Sequence, residues 1–242
     1  MFLEPTGFDV WLTAHLARFL GRFPLFDRGV DSCIRHGVLG GSWYAATLFI
    51  LWMRSAAPGQ EKTRRRILTT LLGSLLAVLL TVIAGAVISW PPPIRNPSLA
   101  GLYPPDFQGN PNVNCFPSQS TAVYVAVAAG IGSLNPVAGW VLGVGAVVLG
   151  GLPRIYVGGH YPSDVVAGLL LGLVGYAGAR FVLEPKIIPR VEQWLDQSLL
   201  RRTLTELAVF GWMLQVALEF RDLLWLRNVL AYLSARFLGS LF

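Results

Sequence analysis

The chain has 242 residues, 54% hydrophobic and only 13% charged, with a mean hydropathy of +0.56 and a formal charge of +6 from 19 basic and 13 acidic residues. Soluble globules carry about 25% charged residues, and disorder requires low hydrophobicity with high charge. An ordinary soluble enzyme and a disordered chain are both excluded, and the composition is that of a membrane protein whose basic excess suits cytoplasmic loops and anionic headgroups. Nothing reads as nucleic-acid recognition.

The first segment, residues 1–24, is expected to be retained and to lie in the membrane interface. Glu4 and Asp9 interrupt it, and no small-residue cleavage site follows a long apolar run. From Phe8 to Phe23, Trp11, Leu12, His15, Leu16, Phe19, Leu20 and Phe23 recur at helical spacing, with Arg18 and Arg22 opposite: the pattern of an amphipathic interfacial helix. Spans are then predicted at Gly37 to Met53 and at Ile67 to Trp90. Between them Arg54, Lys62, Arg64, Arg65 and Arg66 form a dense basic loop, which the positive-inside rule places in the cytoplasm. The polar, proline-rich segment 91–116 therefore faces outward and is long enough to carry function.

Three further spans are predicted at Pro117 to Leu134, Pro136 to Leu152 and Pro162 to Val182, with a second outward loop at 153–161. Lys186, Arg190, Arg201 and Arg202 mark the return to the cytoplasm. Thr203 to Leu218 reads as one more span weakened by Glu206 and Glu219, and Asp222 to Leu241 as a second amphipathic helix. The expected architecture is thus all-α: a polytopic bundle of five to six spans over residues 25–183, flanked by the interfacial helix 1–24 and a helical extension, 184–242. That extension is suited to anchoring or to a homodimer contact. Gly168, Gly172 and Gly175 imply close helix packing without naming a partner. Cys33 and Cys115 are too few for a disulfide scaffold or a cysteine metal site; one bridge between outward segments stays open, and both are treated as inert.

Chemistry concentrates in the second outward segment, where Arg154, His160 and Asp164 fall at the spacing R-x5-H-x3-D on a loop running into a helix. An aspartate one helical turn beyond a histidine can accept the proton of one ring nitrogen and leave the other free to attack. Arg154 supplies a permanently charged fork suited to phosphate oxygens. The plain alternative is a membrane-surface ion pair beside a polar interface histidine.

That spacing, in the context Arg154-Ile-Tyr-Val-Gly-Gly-His-Tyr-Pro-Ser-Asp164, resembles the third signature of the type 2 phosphatidic acid phosphatase (PAP2) superfamily, as found in bacterial membrane members. The resemblance covers about residues 25–183. It implies His160 as the nucleophile that forms a phosphohistidine, Asp164 as its orienting carboxylate and Arg154 as a phosphate ligand. Phe116-Pro117-Ser118-Gln119-Ser120-Thr121 is similar to the second signature, Pro-Ser-Gly-His. Pro117 and Ser118 match, and a helix starting there would offer Ser118, Gln119 and Ser120 to phosphate. Ser120, however, stands where the family carries the histidine that protonates the leaving oxygen. Ser89 to Pro97 occupies the place of the first signature, with Trp90 and Pro92 at its arginine positions. Arg95 remains nearby, either as a displaced phosphate ligand or as a solvated loop residue.

A missing acid costs typically about 10²- to 10⁴-fold for an unactivated leaving group. It matters least when the leaving group is a phosphate whose second ionisation lies near pKa ~6. The resemblance therefore implies an enzyme of the bacterial inner membrane that acts, at the extracytoplasmic face, on a lipid diphosphate such as a polyprenyl diphosphate. It would be a phosphatase or phosphotransferase needing neither metal nor cofactor, with water or His36 in place of the acid. The alternative is a weak or inactive relative that uses the pocket to bind a phospholipid headgroup or a partner protein. A channel or transporter fits less well, because the predicted span interiors hold almost no ionisable residues.

Overall fold

The computed structural model describes residues 4–36, 40–103, 114–195 and 198–220, all of them in helices, turns or loops with no strand among them. Helix α1 (Gly7–Ala17) opens with a capping box in which the Thr6 side chain and the Asp9 carboxylate satisfy each other's main-chain N–H. It buries Asp9, Thr13 and Ala17 at i, i+4, i+8 and leaves Phe8 and Trp11 exposed. The buried face is thus the more polar one, and large apolar side chains lie on the exposed face. It is shorter than the predicted Phe8 to Phe23, because a turn through Gly21, at φ +81°, ends it and hands over to α2 (Pro24–His36). No helix is read from the sequence over 24–36, where Arg28, Asp31 and Arg35 mask the apolar residues. Proline at the first position and Asp27 in the first turn start it. Asp27 also ties it down, accepting the Gly21 N–H on Oδ2 and the Tyr156 hydroxyl on Oδ1.

The bundle itself consists of α3 (Gly41–Arg54), α4 (Glu61–Val87), α5 (Gln119–Gly132), α6 (Pro136–Tyr156), α7 (Pro162–Trp194) and α8 (Leu199–Ala217). Of the five to six spans expected, three (α4, α6 and α7) are long and apolar enough to cross a membrane by themselves. The other bundle helices fall short for separate reasons. Helices α3 and α5 have 14 residues each, and α8 carries Arg201, Arg202 and Glu206. Helix α5 is nearly all buried, so its neighbours rather than lipid surround it.

Two predicted boundaries are corrected. Helix α6 does not stop at Leu152: a π turn at Ala146–Gly151 leads into a further helical turn, Leu152–Tyr156, which shrinks the expected loop 153–161 to residues 157–161. Helix α7 continues through a second π turn, Ala179–Leu183, to Trp194, so the chain is unbroken across residue 184. The predicted helix 222–241, and any dimer contact through it, lies outside the described residues.

Helices α4, α5 and α7 pack on one another in the centre. The glycines of α7 find their partners here. A Cβ on Gly168 would stand 2.5 Å from the Ser118 carbonyl oxygen, one on Gly172 2.5 Å from that of Ala122, and one on Gly175 2.7 Å from the Ala77 nitrogen. Small residues thus bring backbones together where lipid supplies no hydrophobic drive between helices. At the far end, away from the α7 N-terminus, buried Glu184 takes Arg66 and Arg180 at 3.0 Å each and the Thr69 hydroxyl at 2.8 Å. Glu206 of α8 pairs there with Arg64 at 3.0 Å and accepts the Trp52 indole N–H at 2.5 Å.

Candidate active site

The N-termini of α5 and α7 meet at the other end of the bundle, where the Ser118 N–H donates to the Asp164 carbonyl at 3.0 Å. Helix α7 is set by its own sequence: Pro162 occupies the first turn, and Asp164 reaches back so that Oδ2 accepts the Tyr161 N–H at 2.8 Å. Asp9 of α1 caps the same turn through the Ser163 N–H at 2.9 Å. Two carboxylates therefore sit at one helix N-terminus, where the macrodipole favours them.

His160 precedes this turn and is buried. Its Nδ1 stands 3.4 Å from Asp164 Oδ2 and has no hydrogen-bond partner. The ring faces the carboxylate at a distance beyond the usual hydrogen-bond length. Asp164 is wholly buried, and its Oδ1 accepts the Trp90 indole N–H at 3.1 Å. Arg154 lies in the turn added to α6 beyond the π segment, a feature frequent beside functional sites. Its carbonyl accepts the N–H groups of Gly159 at 2.8 Å and His160 at 3.2 Å. The chain between them curls through Gly158, at φ +74°, where a Cβ would strike the Tyr103 ring at 2.5 Å. Arg154, His160 and Asp164 are thereby held on one rim.

The remaining predicted residues are distributed as follows. Ser118 occupies the N-cap position of α5 without a side-chain capping bond; it is fully buried, with its hydroxyl 2.9 Å from that of Thr121 and its N–H engaged by Asp164. Gln119 donates its side-chain amide to the Glu219 carbonyl at 3.0 Å. Ser120 is buried in the first turn of α5. Arg95 ends a 3-10 turn, Pro93–Arg95, with an exposed side chain. His36 closes α2, and its side chain lies outside the described part. Among the described residues no three His, Cys, Asp or Glu side chains converge on one point. Cys115 is a buried free thiol, pushed up from its ordinary pKa first by burial and then by the Asp164 charge, so it stays neutral. Burial likewise pushes the Tyr161 phenol up to about 12, and it remains a neutral hydroxyl that accepts from Asn96 Nδ2 at 2.9 Å.

Three participants escape a reading of the sequence. Trp90, at an arginine position of the first signature, contributes an N–H to Asp164 in place of a charge. Glu219, just beyond α8, pairs with the Arg154 guanidinium at 2.5 Å. Tyr124 of α5 donates its hydroxyl to the same Glu219 carboxylate while its ring stacks on Tyr44 at 4.5 Å. The weak signal was the presence of Glu219 in an otherwise apolar stretch, since an ionisable group at such a place needs a partner.

A polytopic helical membrane protein with histidine and aspartate at the start of α7 and an arginine at the end of α6 beside them is the class that fold and site define. Residues 66–184 match the sequence model of the PAP2 superfamily, whose members are generally phosphatases and phosphotransferases. The match begins in α4 and ends within α7, leaving α1 to α3 and α8 outside it. No curated protein and no solved structure matches the chain.

Proposed function

We propose that the protein is a lipid diphosphate phosphatase or phosphotransferase of the bacterial inner membrane, working at the extracytoplasmic face through a phosphohistidine at His160. The observation that carries the reading is the rim itself. His160 Nδ1 faces Asp164 Oδ2 at 3.4 Å, and the His160 main chain is bonded to Arg154. With Nδ1–H turned to Asp164, the Nε2 lone pair attacks the terminal phosphorus while the bond from phosphorus to the bridging oxygen breaks. The lipid monophosphate leaves with that electron pair, and Arg154 balances charge on the equatorial oxygens. Water or another acceptor then attacks the phosphorus, the P–N bond breaks, and the ring recovers its lone pair.

The departing group decides the substrate class. An alcohol must be protonated as it leaves, and Ser120 stands in the family's acid position. A phosphate monoester leaves as a weak base, with a second pKa of ~6. Polyprenyl diphosphates and similar lipids therefore suit the rim better than monoesters. The basic run Lys62 to Arg66 at the opposite end supports an outward placement of the rim.

The test is a substrate panel on protein purified in detergent. Phosphate release from lipid diphosphates should exceed release from the matching monophosphates by about 10²-fold or more, and both His160→Ala and Arg154→Ala should abolish it. Equal rates on the two classes would refute the leaving-group argument. Binding of the lipid without release would favour the headgroup-binding relative instead.

A further inference from the structure

Helix α8 lies outside the stretch that matches the family, yet it delivers a carboxylate to the rim. It ends at Ala217, and the chain turns through Glu219 and Phe220, at φ 58° and 54°. Two successive non-glycine residues in the left-handed region are strained and persist only where surrounding contacts hold them. Those contacts are on the rim. Glu219 Oε2 accepts from Arg154 at 2.5 Å, Oε1 accepts from the Tyr124 hydroxyl, and the Glu219 carbonyl accepts from Gln119. The Glu219 side chain is 7% exposed. Two of the side chains assigned above to phosphate, Arg154 and Gln119, are thus both held by one residue from the C-terminal extension.

A carboxylate and a phosphate present similar oxygens to a guanidinium, and one fork cannot serve both fully. We propose that Glu219 is an internal anion occupying the Arg154 end of the phosphate site, and that this segment must withdraw before a phosphate group can bind. The proposal rests on the reading of Arg154 as a phosphate ligand. Release would relieve the strained pair at 219–220 and return Arg154 and Gln119 to the incoming oxygens. The competing role, a proton donor in place of the absent histidine, fits less well. Both Glu219 oxygens accept hydrogen bonds, which is the pattern of an ionised carboxylate with no proton to give.

The two roles predict opposite results for Glu219→Gln. The probe is orthophosphate or orthovanadate, titrated by calorimetry into the full chain in detergent. If the open site is about a tenth populated in the wild type, freeing it tightens anion binding by about tenfold. Glu219→Gln should therefore bind either anion about tenfold more tightly and lower KM for a lipid diphosphate without loss of kcat. Tyr124→Phe keeps the stacked ring, removes one bond to the carboxylate and should shift affinity in the same direction by a smaller factor, which covers the case in which Glu219→Gln fails to fold. Unchanged or weaker anion binding in both variants overturns the proposal, as does a Glu219→Gln protein that binds normally but has lost kcat. The added variant Arg154→Gln/Glu219→Gln separates the two levels of inference. Loss of the gained affinity supports the competition at Arg154. Its persistence refutes both the competition and the assignment of Arg154, and anion binding by none of the proteins does the same.

Discussion

Substituting Gly168 by alanine puts the contact between α5 and α7 under direct strain. The new Cβ would lie 2.5 Å from the Ser118 carbonyl oxygen and 3.2 Å from Thr121 Cβ, whereas comfortable heavy-atom contacts are about 3.5–4.0 Å. The two helices must separate there by about 1 Å. Ser118 is also the residue whose N–H bonds the Asp164 carbonyl at 3.0 Å, so separation weakens that bond as well. Overpacking costs about 1–3 kcal/mol and the hydrogen bond about 0.5–1.5 kcal/mol. At about 2–4 °C per kcal/mol for a chain of this size, Tm should fall by roughly 3–18 °C. Gly143→Ala and Gly211→Ala are the controls: both glycines are helical with no heavy atom within 4 Å of the added carbon. They should be neutral or stabilising by up to ~1 kcal/mol. Thermal unfolding of the three variants in one detergent, followed by helical circular dichroism, makes the comparison. A Gly168→Ala protein as stable as the controls would refute the close packing that joins the two helix N-termini.

Removing Glu184, which holds Arg66 and Arg180 in a buried cluster, should cost about 3–5 kcal/mol, whereas Glu192→Ala, at an exposed pair with Arg65, should cost less than about 1 kcal/mol; paired Tm measurements test the difference. Trp90→Phe keeps a ring against Phe116, 4.7 Å away, and deletes the N–H to Asp164. A hydrogen bond to a charged group is worth about 1.5–3 kcal/mol, so kcat should fall by roughly tenfold or more with KM little changed. An unaltered kcat would remove Trp90 from the positioning of Asp164. In a Cys33→Ser background, Cys115 should resist a soluble maleimide at pH 8 until the protein is unfolded, because burial raises its pKa and keeps the thiolate fraction small.

Much of this molecule is written locally. The apolar runs behind α4, α6 and α7 are long, and Pro136 and Pro162 mark helix starts that the structure keeps. Arg154, His160 and Asp164 were legible together because a single turn and loop of consecutive chain carries all three. What was hidden depends on distance along the chain or on main-chain detail. Glu219 meets Arg154 from 65 residues away and Trp90 meets Asp164 from 74, so no spacing could reveal either. The π turns at Ala146–Gly151 and Ala179–Leu183 leave no mark in apolar periodicity, and for that reason α6 and α7 overran their predicted ends. Helix α2 leaves little apolar signal because of its charges, while its start at Pro24 and Asp27 is plain once the turn at Gly21 is known. The apolar residues of α1 recur at helical spacing, but the face that meets the bundle is the one carrying Asp9, Thr13 and Ala17, while Phe8 and Trp11 stay exposed.

The central claim is that the His160 ring takes a phosphoryl group from a lipid. Rapid quenching of the purified protein mixed with a lipid diphosphate labelled in its terminal phosphate, followed by peptide mapping under conditions that preserve phosphoramidates, tests it directly. Label should appear on the peptide containing His160, chase away as phosphate is released, and be absent from His160→Ala. Release continuing in His160→Ala, or label residing on any other residue, would contradict it.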